Sequence, residues 1–256
     1  MPRPPVSASI ITLNEEKNIA RAIESVRSWV QEVVVVDSGS TDQTLEIARS
    51  LGARVIQNPW RGYGQQKNFA QSKVTHDWVL NLDADEAITP ELALEIQNSL
   101  SKNEGKNIQG YLMPRLSFYL GRWIRHGGWY PNRSLRLYHR QHARWTEPDV
   151  HEECIVDGAV EILSKDILHY PFRRIEDQIE TNLKFSRLGA VRLSKSGKKK
   201  NLPLLILKPI GKFLETFIIK KGFLDGMVGF IISVNAAHSI FLKYAYFYEE
   251  VRELDQ

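Results

Sequence analysis

The feature that most constrains the fold is a run of four valines, residues 33–36, that ends on Asp37. Consecutive valines fill both faces of an extended segment, which is typical of a strand in a parallel sheet covered by helices on each side. Other short apolar segments share this character and alternate with segments of helical periodicity. The strands are predicted at 7–12, 32–37, 53–57 and 77–85. This alternation predicts an α/β half of the nucleotide-binding type at the start of the chain.

Polar residues mark the expected starts of the helices. Asn14 is the expected N-cap of the first helix, and Thr41 opens the second. Thr89 and Pro90 form the expected N-cap and first-turn pair of the fourth helix. These residues place each helix directly after a strand.

The rhythm changes in the second half of the chain. Strands are separated by a loop rich in glycine, proline and aromatic residues, one long strand is predicted at 159–170, and a helix is predicted over 174–194. A glycine, a proline and clustered lysines then indicate a linker. We therefore expect a catalytic domain over 1–194 and a basic helical region over 195–256.

Composition excludes several classes of protein. The 256 residues are 43% hydrophobic, which is enough for a substantial core. The single cysteine, Cys154, excludes an internal disulfide framework and a cysteine-rich zinc site, and it favours a reducing compartment. The first residues lack a long apolar core, so no secretory signal is expected. A cytoplasmic location follows from these two expectations.

The net charge of +4 lies in the C-terminal region. From Lys195 onward, ten Lys and Arg residues outnumber six acidic residues, whereas the first 194 residues carry equal numbers of each. Such a tail predicts an anionic partner, either a membrane or a nucleic acid. The lysines at 198–200 have no aromatic residues beside them, so we expect no nucleic-acid partner.

The pattern of the tail favours a membrane surface. Lys208, Lys212 and Glu215 share one helical face, while apolar side chains take the other, as in a helix that lies in a membrane interface. Residues 226–242 carry no charge but are fewer than the about 20 that span a bilayer. We predict peripheral attachment to the inner face of the cytoplasmic membrane. The alternative is a helical pair packed on the catalytic domain or on a second subunit of a homo-oligomer.

Acidic residues stand where the predicted strands end. In an open parallel sheet, ligands bind outside the carboxyl ends of the strands. Asp37 could accept hydrogen bonds there from a nucleoside, although it could instead cap the turn. Asp83 and Asp85 are one residue apart, so in an extended backbone both carboxylates would leave the same side. Two convergent oxygen ligands suit Mg²⁺ or Mn²⁺ and leave open positions for a diphosphate.

Three motifs together resemble a known family. The segments ASIITLNEEKNI, VVVVDSGSTDQT and LNLDADE, in this order and spacing, are similar to those of the family 2 glycosyltransferases. That resemblance implies the GT-A fold and inverting transfer of a sugar from a nucleotide diphosphate. The segments HGGWYPNRSLRLYHR and VHEE and the tail also resemble the bacterial subgroup that adds a hexose, often β-1,4-linked glucose, to the inner-core heptose of lipopolysaccharide.

The resemblance implies roles for particular residues. Thr12, Asn14 and Glu15 would line the pocket for base and ribose, and Asp37 would contact the uridine. Many relatives have two acids at the positions of Asp37 and Ser38, so the contact that this pair makes with the nucleoside stays open. The metal and the diphosphate would be held by Asp83 and Asp85.

Inversion by direct displacement needs a carboxylate that accepts the proton of the acceptor hydroxyl. The segment WTEPDVHEEC offers four candidates, and strand periodicity does not choose among them. We favour Glu152, with Asp149 second, over Glu147 and Glu153.

Further candidates surround these acids. His169 would complete the metal site, with His151 as a rival and a structural role as the alternative. Phosphates of donor or acceptor could be bound by Arg115, Arg133 and Arg136. Trp129 could stack on an acceptor sugar or simply belong to the core.

The leading hypothesis is an inverting, metal-dependent glycosyltransferase that uses a UDP-sugar, with UDP-glucose as the first candidate, on a lipopolysaccharide core acceptor. The nearest enzymatic alternative is transfer to a polyprenyl phosphate. A different class is a non-catalytic module that binds anionic lipid through its lysines, but such a module has no physical need for Asp37, Asp83 and Asp85 together.

Overall fold

The computed structural model describes residues 5–103, 106–147, 152–196 and 202–254. The described residues form these elements in chain order: β1 (Val6–Thr12), α1 (Ile19–Val26), β2 (Glu32–Asp37), α2 (Thr44–Ser50), β3 (Arg54–Gln57), α3 (Tyr63–Lys73), β4 (Trp78–Asp83), β5 (Glu86–Ile88), α4 (Pro90–Ser101), β6 (Ile108–Tyr119), β7 (Arg122–Ile124), β8 (Asn132–His139), β9 (Ala143–Trp145), β10 (Cys154–Val156), β11 (Ala159–Ile162), β12 (Ile167–His169), α5 (Ile175–Lys195), α6 (Leu202–Leu214) and α7 (Gly226–Leu254).

The chain divides into two compact units. The first comprises Met1–Arg115 and Asn132–Tyr170, and the second comprises Leu116–Pro131 and Pro171–Gln256. The second unit therefore takes α5, which the sequence had assigned to the catalytic domain. The boundary that we expect after residue 194, between a catalytic domain and a basic helical region, stays a prediction.

The first unit is built on the predicted parallel strands. The strands β3, β2, β1 and β4 are neighbours in this order, and all of them are parallel. β1 lies between β2 and β4, the two strands that end on acidic residues. Thr12 pairs in register with Asp37, and Ile11 pairs with Asp83. The carboxyl ends of these strands therefore meet at one edge.

Helices cover both faces of this sheet, as the valine run predicts. On one face α1, α2 and α4 pack through buried apolar residues such as Ile23, Ala48 and Leu92 against Val35 and Leu80. On the other face α3 packs through Ala70 in a second cluster that contains Val34 and Val36. The α/β fold class expected from the sequence is confirmed.

The sheet continues in a mixed manner that the sequence did not predict. The strands β8, β6, β12 and β5 follow β4 in the sheet, and β8 is antiparallel to both β4 and β6. The predicted long strand at 159–170 is two short strands, β11 and β12. A separate two-stranded sheet pairs β9 with β10.

Two helix starts differ from the prediction. Asn14 does not cap α1, which begins at Ile19 after Asn18. Thr41 does not open α2, which begins at Thr44 after Gln43. The third prediction is correct, because the hydroxyl of Thr89 accepts a hydrogen bond from the backbone N–H of Leu92. Asn14 and Thr41 bond to each other instead.

The second unit is mainly helical. The helix α7 packs against both α5 and α6, and a short core joins Tyr119, Ile124 and Ile232, with Trp129 packed beside it. Among the described residues, the segment Gly222–Glu249 is long and apolar enough to cross a membrane by length and composition. Length and composition alone are weak evidence for a membrane span, because core helices of soluble proteins meet the same criteria.

Candidate active site

The site begins where β1, β2 and β4 end together. The carboxylate of Asp37 is buried and accepts hydrogen bonds from the backbone N–H of Gly39, at 2.9 Å, and from the N–H and the hydroxyl of Ser40. Gly39 has a φ of +108°, which glycine adopts without strain and which turns the chain sharply after the strand. Asp37 thus caps this turn, which is the alternative that the sequence left open. Its contact with a nucleoside stays a prediction.

The loops after β1 and β2 are bonded to each other. The backbone N–H of Asn14 donates to the Ser40 hydroxyl at 2.8 Å, and the side-chain oxygen of Asn14 accepts from the N–H of Thr41 at 2.9 Å. The N–H of Glu15 donates to the Thr44 hydroxyl at 2.8 Å. These bonds explain why Asn14 caps no helix, and they fix one wall of the strand-end edge.

Ser38 and Thr12 differ in their partners. The Ser38 hydroxyl accepts a hydrogen bond from the Gln66 side chain of α3 at 3.0 Å. The Thr12 hydroxyl oxygen is buried and has no hydrogen-bond partner among the described residues. Ser38 therefore holds α3 to the strand-end edge.

Asp83 lies in a network of alternating charges. One of its carboxylate oxygens pairs with Arg136, and the other lies 3.3 Å from the ammonium of Lys67. Burial alone would raise the pKa of Asp83, but the positive charges of Arg136, then Lys67 and Arg115, outweigh it and hold that pKa far below its usual range. Asp83 is therefore ionised, and positive side chains of the protein balance its negative charge.

Glu86 completes this network from β5. Its buried carboxylate accepts hydrogen bonds from Arg136 at 2.7 Å, from Arg115 at 3.2 Å and from the backbone N–H of Asp83 at 3.1 Å. The sequence did not single out Glu86. The predicted arginines Arg115 and Arg136 thus lie beside the strand-end acids and are held there by Glu86.

Lys67 joins Asp83 to the favoured base. Its ammonium lies 3.0 Å from Oε1 of Glu152 and 4.4 Å from the ring centre of Trp145, and the side chain is 3% exposed. A buried ammonium needs such partners, because desolvation of an unpaired charge is costly. Two acids separated by 69 positions in the sequence, Asp83 and Glu152, therefore share one cation.

β4 ends at Asp83, and the next two residues, Ala84 and Asp85, form a turn. The extended backbone on which the two carboxylates were expected to leave the same side therefore stops before Asp85. Oδ2 of Asp85 lies 3.4 Å from Nε2 of His169, and the antiparallel pairing of β12 with β5 brings the two residues together. The sequence had named both residues as metal ligands.

The fit to a divalent cation rests on this pair. No group of three or more His, Cys, Asp or Glu side chains in the described part of the chain is arranged to hold a metal ion. Asp85 and His169 would supply two ligands and leave positions for phosphate oxygens and water, which suits Mg²⁺ or Mn²⁺. The oxygens of Asp83 are paired with Lys67 and Arg136, so Asp83 fits a metal less well.

The charged network lines a cavity of about 440 Å³. Its polar lining includes Lys67, Asp83, Arg115, Arg133, Arg136, Glu152 and Glu153. Cys154 also lines it, and burial raises the pKa of that thiol to about 12, although Lys67 and Arg136 oppose the shift. The thiol is therefore protonated at neutral pH and is no candidate nucleophile.

Two aromatic residues that the sequence did not single out stand near these acids. Trp60 and Tyr63 are about half exposed and meet edge to face, with ring centres 4.7 Å apart. The pKa of Tyr63 is raised, first by burial and then by the negative charges of Asp83, Glu152 and Asp85. By contrast Trp129 packs in the core of the second unit, as its alternative interpretation held.

Comparison with known proteins decides the family. The sequence model named Glycosyl transferase family 2 matches residues 7–156, which include the carboxyl ends of β1, β2 and β4. An uncharacterized glycosyltransferase of Rickettsia typhi is 36% identical over 97% of this chain and 87% of its own length. The chain belongs to glycosyl transferase family 2. The expected GT-A fold is confirmed with it.

Further similarities of this glycosyltransferase cover between 76% and 97% of its length. A protein of Rhizobium meliloti, named lipopolysaccharide core biosynthesis glycosyltransferase LpsC, is 32% identical over 97% of this chain and 94% of its own. Glucosyl-3-phosphoglycerate synthase of Mycobacterium tuberculosis, solved with Mn²⁺, UDP and its product, is 22% identical and aligns with a TM-score of 0.49. That alignment covers 76% of this chain and 80% of the synthase.

The structure brings together most of the predicted site residues of this glycosyltransferase. In the strand-end region it places Thr12, Asn14, Glu15, Asp37, Ser38, Asp83, Asp85, Glu152 and His169. Asp149, the second candidate base, and His151 lie outside the described residues. Glu147 accepts a hydrogen bond from the Asn68 amide at 3.0 Å, whereas Glu153 lines the cavity.

Lys67 and Glu86 are the residues that the sequence analysis missed. One signal existed for Lys67, since Gly64, Lys67 and Ala70 recur at a spacing of three on the buried face of α3. A lysine on such a face indicates a buried charge that needs an acidic partner. Glu86 follows Asp85 directly and opens a three-residue strand, a segment too short to show a period.

Proposed function

We propose that this family 2 glycosyltransferase transfers a hexose, with glucose as the first candidate, from a UDP-sugar to an inner-core heptose of lipopolysaccharide, with inversion at the anomeric carbon. The observation that carries the acceptor is the similarity to the Rhizobium lipopolysaccharide core enzyme, which spans nearly the full length of both chains. It therefore includes the C-terminal helices as well as the nucleotide-sugar half.

We assign donor binding to the strand-end edge. Thr12, Asn14 and Glu15 would face the nucleoside from the loop after β1, with Asp37 and Ser38 opposite. The buried, unpartnered hydroxyl of Thr12 supports this assignment, because a buried polar group without a partner is costly unless a ligand completes it.

We assign the divalent cation to Asp85 and His169. When bound, such a cation neutralises the negative charge that develops on the departing diphosphate. Arg115 and Arg136 add fixed positive charge beside the same edge, and Glu86 holds both guanidinium groups in place. Preorganised charge of this kind needs little rearrangement during the reaction.

Glu152 is the proposed general base. Lys67 holds Oε1 of Glu152 at 3.0 Å, so we assign the proton of the acceptor hydroxyl to Oε2. Glu152 lines the cavity next to Asp83, where an acceptor could approach the donor sugar. Asp149 remains the second candidate. We expect Glu152→Gln to abolish turnover while the dissociation constant for UDP stays within about twofold, since the base acts only in the chemical step.

The rival carboxylates provide the control for that experiment. We expect Glu153→Gln and Glu147→Gln to keep most of the turnover. Loss of UDP binding in Glu152→Gln, or loss of turnover in Glu153→Gln or Asp149→Asn alone, would move the base to another residue.

The test of the function as a whole measures UDP release from a panel of UDP-sugars with Mn²⁺ or Mg²⁺. Asp85→Asn is compared with Asp77→Asn, a matched control just before the opposite end of the same strand, where Asp77 pairs with Arg140 at 3.1 Å. We expect one sugar to give metal-dependent release that a chelator and Asp85→Asn abolish and Asp77→Asn preserves. No release and no nucleotide binding under any condition would favour the lipid-binding module.

The acceptor is tested separately. A core glycolipid that ends in heptose is compared with a polyprenyl phosphate, each with the donor identified above. Transfer to the heptose is the expected result, and transfer only to the polyprenyl phosphate would establish the enzymatic alternative.

We also propose peripheral attachment to the inner face of the cytoplasmic membrane. No residue of α6 is buried, and five of its large apolar side chains are exposed. These are Leu202, Ile206, Leu207, Ile210 and Leu214. Apolar side chains combined with lysines are typical of a helix at a membrane surface, where a glycolipid acceptor would be found. Packing of α6 on a second subunit is the alternative.

A further inference from the structure

The groove between α6 and α7 is a cavity of about 550 Å³, somewhat larger than the one that the charged network lines. Its lining on α6 is Leu204, Leu207, Lys208, Gly211 and Lys212, and on α7 it is Ile240, Lys243 and Tyr244, while Glu215 lines it from the position directly after α6. These positions recur at spacings of three and four, so each set forms one face of its helix. The groove is therefore a continuous surface of the second unit.

The chemistry of the groove is amphipathic. Its three lysines stand against a single acid, Glu215, which pairs with Lys212 at 3.1 Å. Glu215 also pairs with Lys220, which is not part of the groove lining, so part of its negative charge is balanced outside the groove. The apolar lining of Leu204, Leu207 and Ile240 lies among the lysines. A ligand that fits has a compact anionic group joined to an apolar body.

Leu207 shows that the surface differs from a simple two-faced helix. The sequence predicts apolar side chains on the face opposite the lysines, but Leu207 lines the groove beside Lys208 while remaining 62% exposed. Ile206 and Ile210, on either side, are 59% and 53% exposed. Apolar side chains thus continue from the groove to the outer surface of α6, as contact with acyl chains would require.

We propose that this groove binds the phosphate headgroup of an anionic phospholipid, with Lys208 and Lys243 contacting the phosphate and the apolar lining contacting the glycerol and the first part of the acyl chains. The proposal deepens the membrane attachment proposed above and does not depend on the identity of donor or acceptor. It differs from attraction to a diffuse basic surface, because a groove binds one headgroup at a defined place.

Gly211 allows the groove to be blocked without changing its charge. A Cβ at Gly211 meets nothing within 4 Å, so a larger side chain can extend into the groove without a backbone clash. Leucine also favours a helix more than glycine does. Gly211→Leu should therefore keep the fold and all lysines while occupying the space of the headgroup.

The experiment measures co-sedimentation with phosphatidylcholine vesicles that contain or lack phosphatidylglycerol. We expect the preference for phosphatidylglycerol to fall by about fivefold in Lys208→Gln and again in Lys243→Gln, the value typical of one lysine at an anionic surface. Gly211→Leu should reduce it at least as much. Lys102→Gln, which removes the same charge from the first unit, should leave it unchanged.

Several outcomes would overturn the proposal. Unchanged binding in Gly211→Leu with weaker binding in both lysine variants would establish a diffuse basic surface instead of a groove. No preference for phosphatidylglycerol in the wild type would exclude the ligand. A change of oligomeric state in Gly211→Leu, without a change in vesicle binding, would identify a subunit contact, and full competition by inorganic phosphate would identify a site for free phosphate.

Two controls separate this proposal from the proposed reaction. UDP release without acceptor should be the same in Gly211→Leu and wild type, because Gly211 has no place in the active site. The midpoint of thermal unfolding should not be lower in Gly211→Leu than in the wild type. Loss of vesicle preference with normal UDP release would support the groove, whereas normal vesicle preference without UDP release in the wild type would refute only the reaction.

Discussion

Removal of the Lys67 ammonium should destabilise the first unit, because two carboxylates would lose their shared partner. Lys67→Met keeps most of the apolar stem of the side chain and removes the ammonium, which also lies 4.4 Å from the ring centre of Trp145. What disappears is a single positive charge, 3.3 Å from Asp83 and 3.0 Å from Glu152. The variant therefore tests the charge alone.

The magnitude follows from burial. Removing one partner of a buried ion pair typically costs about 3–5 kcal/mol, because the remaining charge stays desolvated. The side chains of Asp83 and Glu152 are 29% and 19% exposed, and Asp83 keeps Arg136, so water and the remaining pair offset part of this cost. We expect a loss of about 2–3 kcal/mol, or about 5–10 °C in the midpoint of thermal unfolding.

A double-mutant cycle assigns this loss to the carboxylates. Glu152→Gln in the Lys67→Met background removes one of the two stranded charges, so the double variant should be more stable than Lys67→Met alone by about 1 kcal/mol or more. In the wild-type background the same Glu152→Gln change should destabilise, because it breaks a pair. The opposite signs are the specific expectation.

The assay is thermal and urea unfolding of the four proteins at neutral pH and at two salt concentrations. Low and high salt should give similar losses, because buried pairs are screened much less than exposed ones. The reasoning is refuted if Lys67→Met unfolds within about 0.5 kcal/mol of the wild type, which is the range of ordinary surface substitutions. It is also refuted if the two substitutions are additive.

Three further predictions test other parts of the structure. Asp85→Asn should raise the Mn²⁺ concentration for half-maximal UDP release by at least about tenfold, and an unchanged titration would exclude Asp85 as a ligand. Gly64→Ala should cost about 1–3 kcal/mol in urea unfolding, because its Cβ would lie 1.9 Å from the carbonyl oxygen of Thr146; wild-type stability would show that this contact relaxes. Burial would raise the pKa of Glu32, but hydrogen bonds, the Ser7 hydroxyl first, outweigh it and lower that pKa from 4.5 to about 2, so a contribution of about 1–2 kcal/mol, discounted for solvent screening, is present above pH 4.5 and is lost as the pH falls towards 2. Glu32→Gln should flatten the loss of stability across that interval, and an unchanged acid unfolding curve would contradict the assignment.

Much of the parallel half could be predicted, because burial on both faces leaves a strong local signal. The valines of β2 have to be covered on each side, and once β2 and β4 are placed on either side of β1, the register brings Asp37 and Asp83 to one edge. The strand ends are thus determined by where apolar runs stop. A single sequence contains that information within a few residues of each strand.

The predicted starts of α1 and α2 were wrong because they depend on contacts between distant segments, which the local sequence does not show. Asn14 has the chemistry of an N-cap, but its side-chain oxygen accepts from the backbone of Thr41, 27 residues away, and its φ of 55° places it in the left-handed region. Asn tolerates that conformation better than most residues. The loop after β1 is therefore shaped by the loop after β2, not by α1.

The charged network could not be predicted for a similar reason. The pair of Lys67 and Glu152 joins residues 85 apart, and Arg136 reaches Asp83 from a strand whose antiparallel pairing with β4 no local pattern announces. Each side chain taken alone has a simpler interpretation as solvated surface. Only the mixed second half of the sheet makes them neighbours.

The two acids of the LNLDADE motif are one residue apart but have different charge partners. Strand periodicity assumes that the strand continues through Asp85, but β4 ends at Asp83, and the turn directs Asp83 to Lys67 and Arg136 and directs Asp85 to His169. The protein already neutralises Asp83, whereas Asp85 has a neighbour that is itself a metal ligand by chemistry. Asp83 therefore supports the fold and its fixed charges, whereas Asp85 is the acid that we propose for the cation. The sequence presents the two acids as equivalent, and only their charge partners distinguish them.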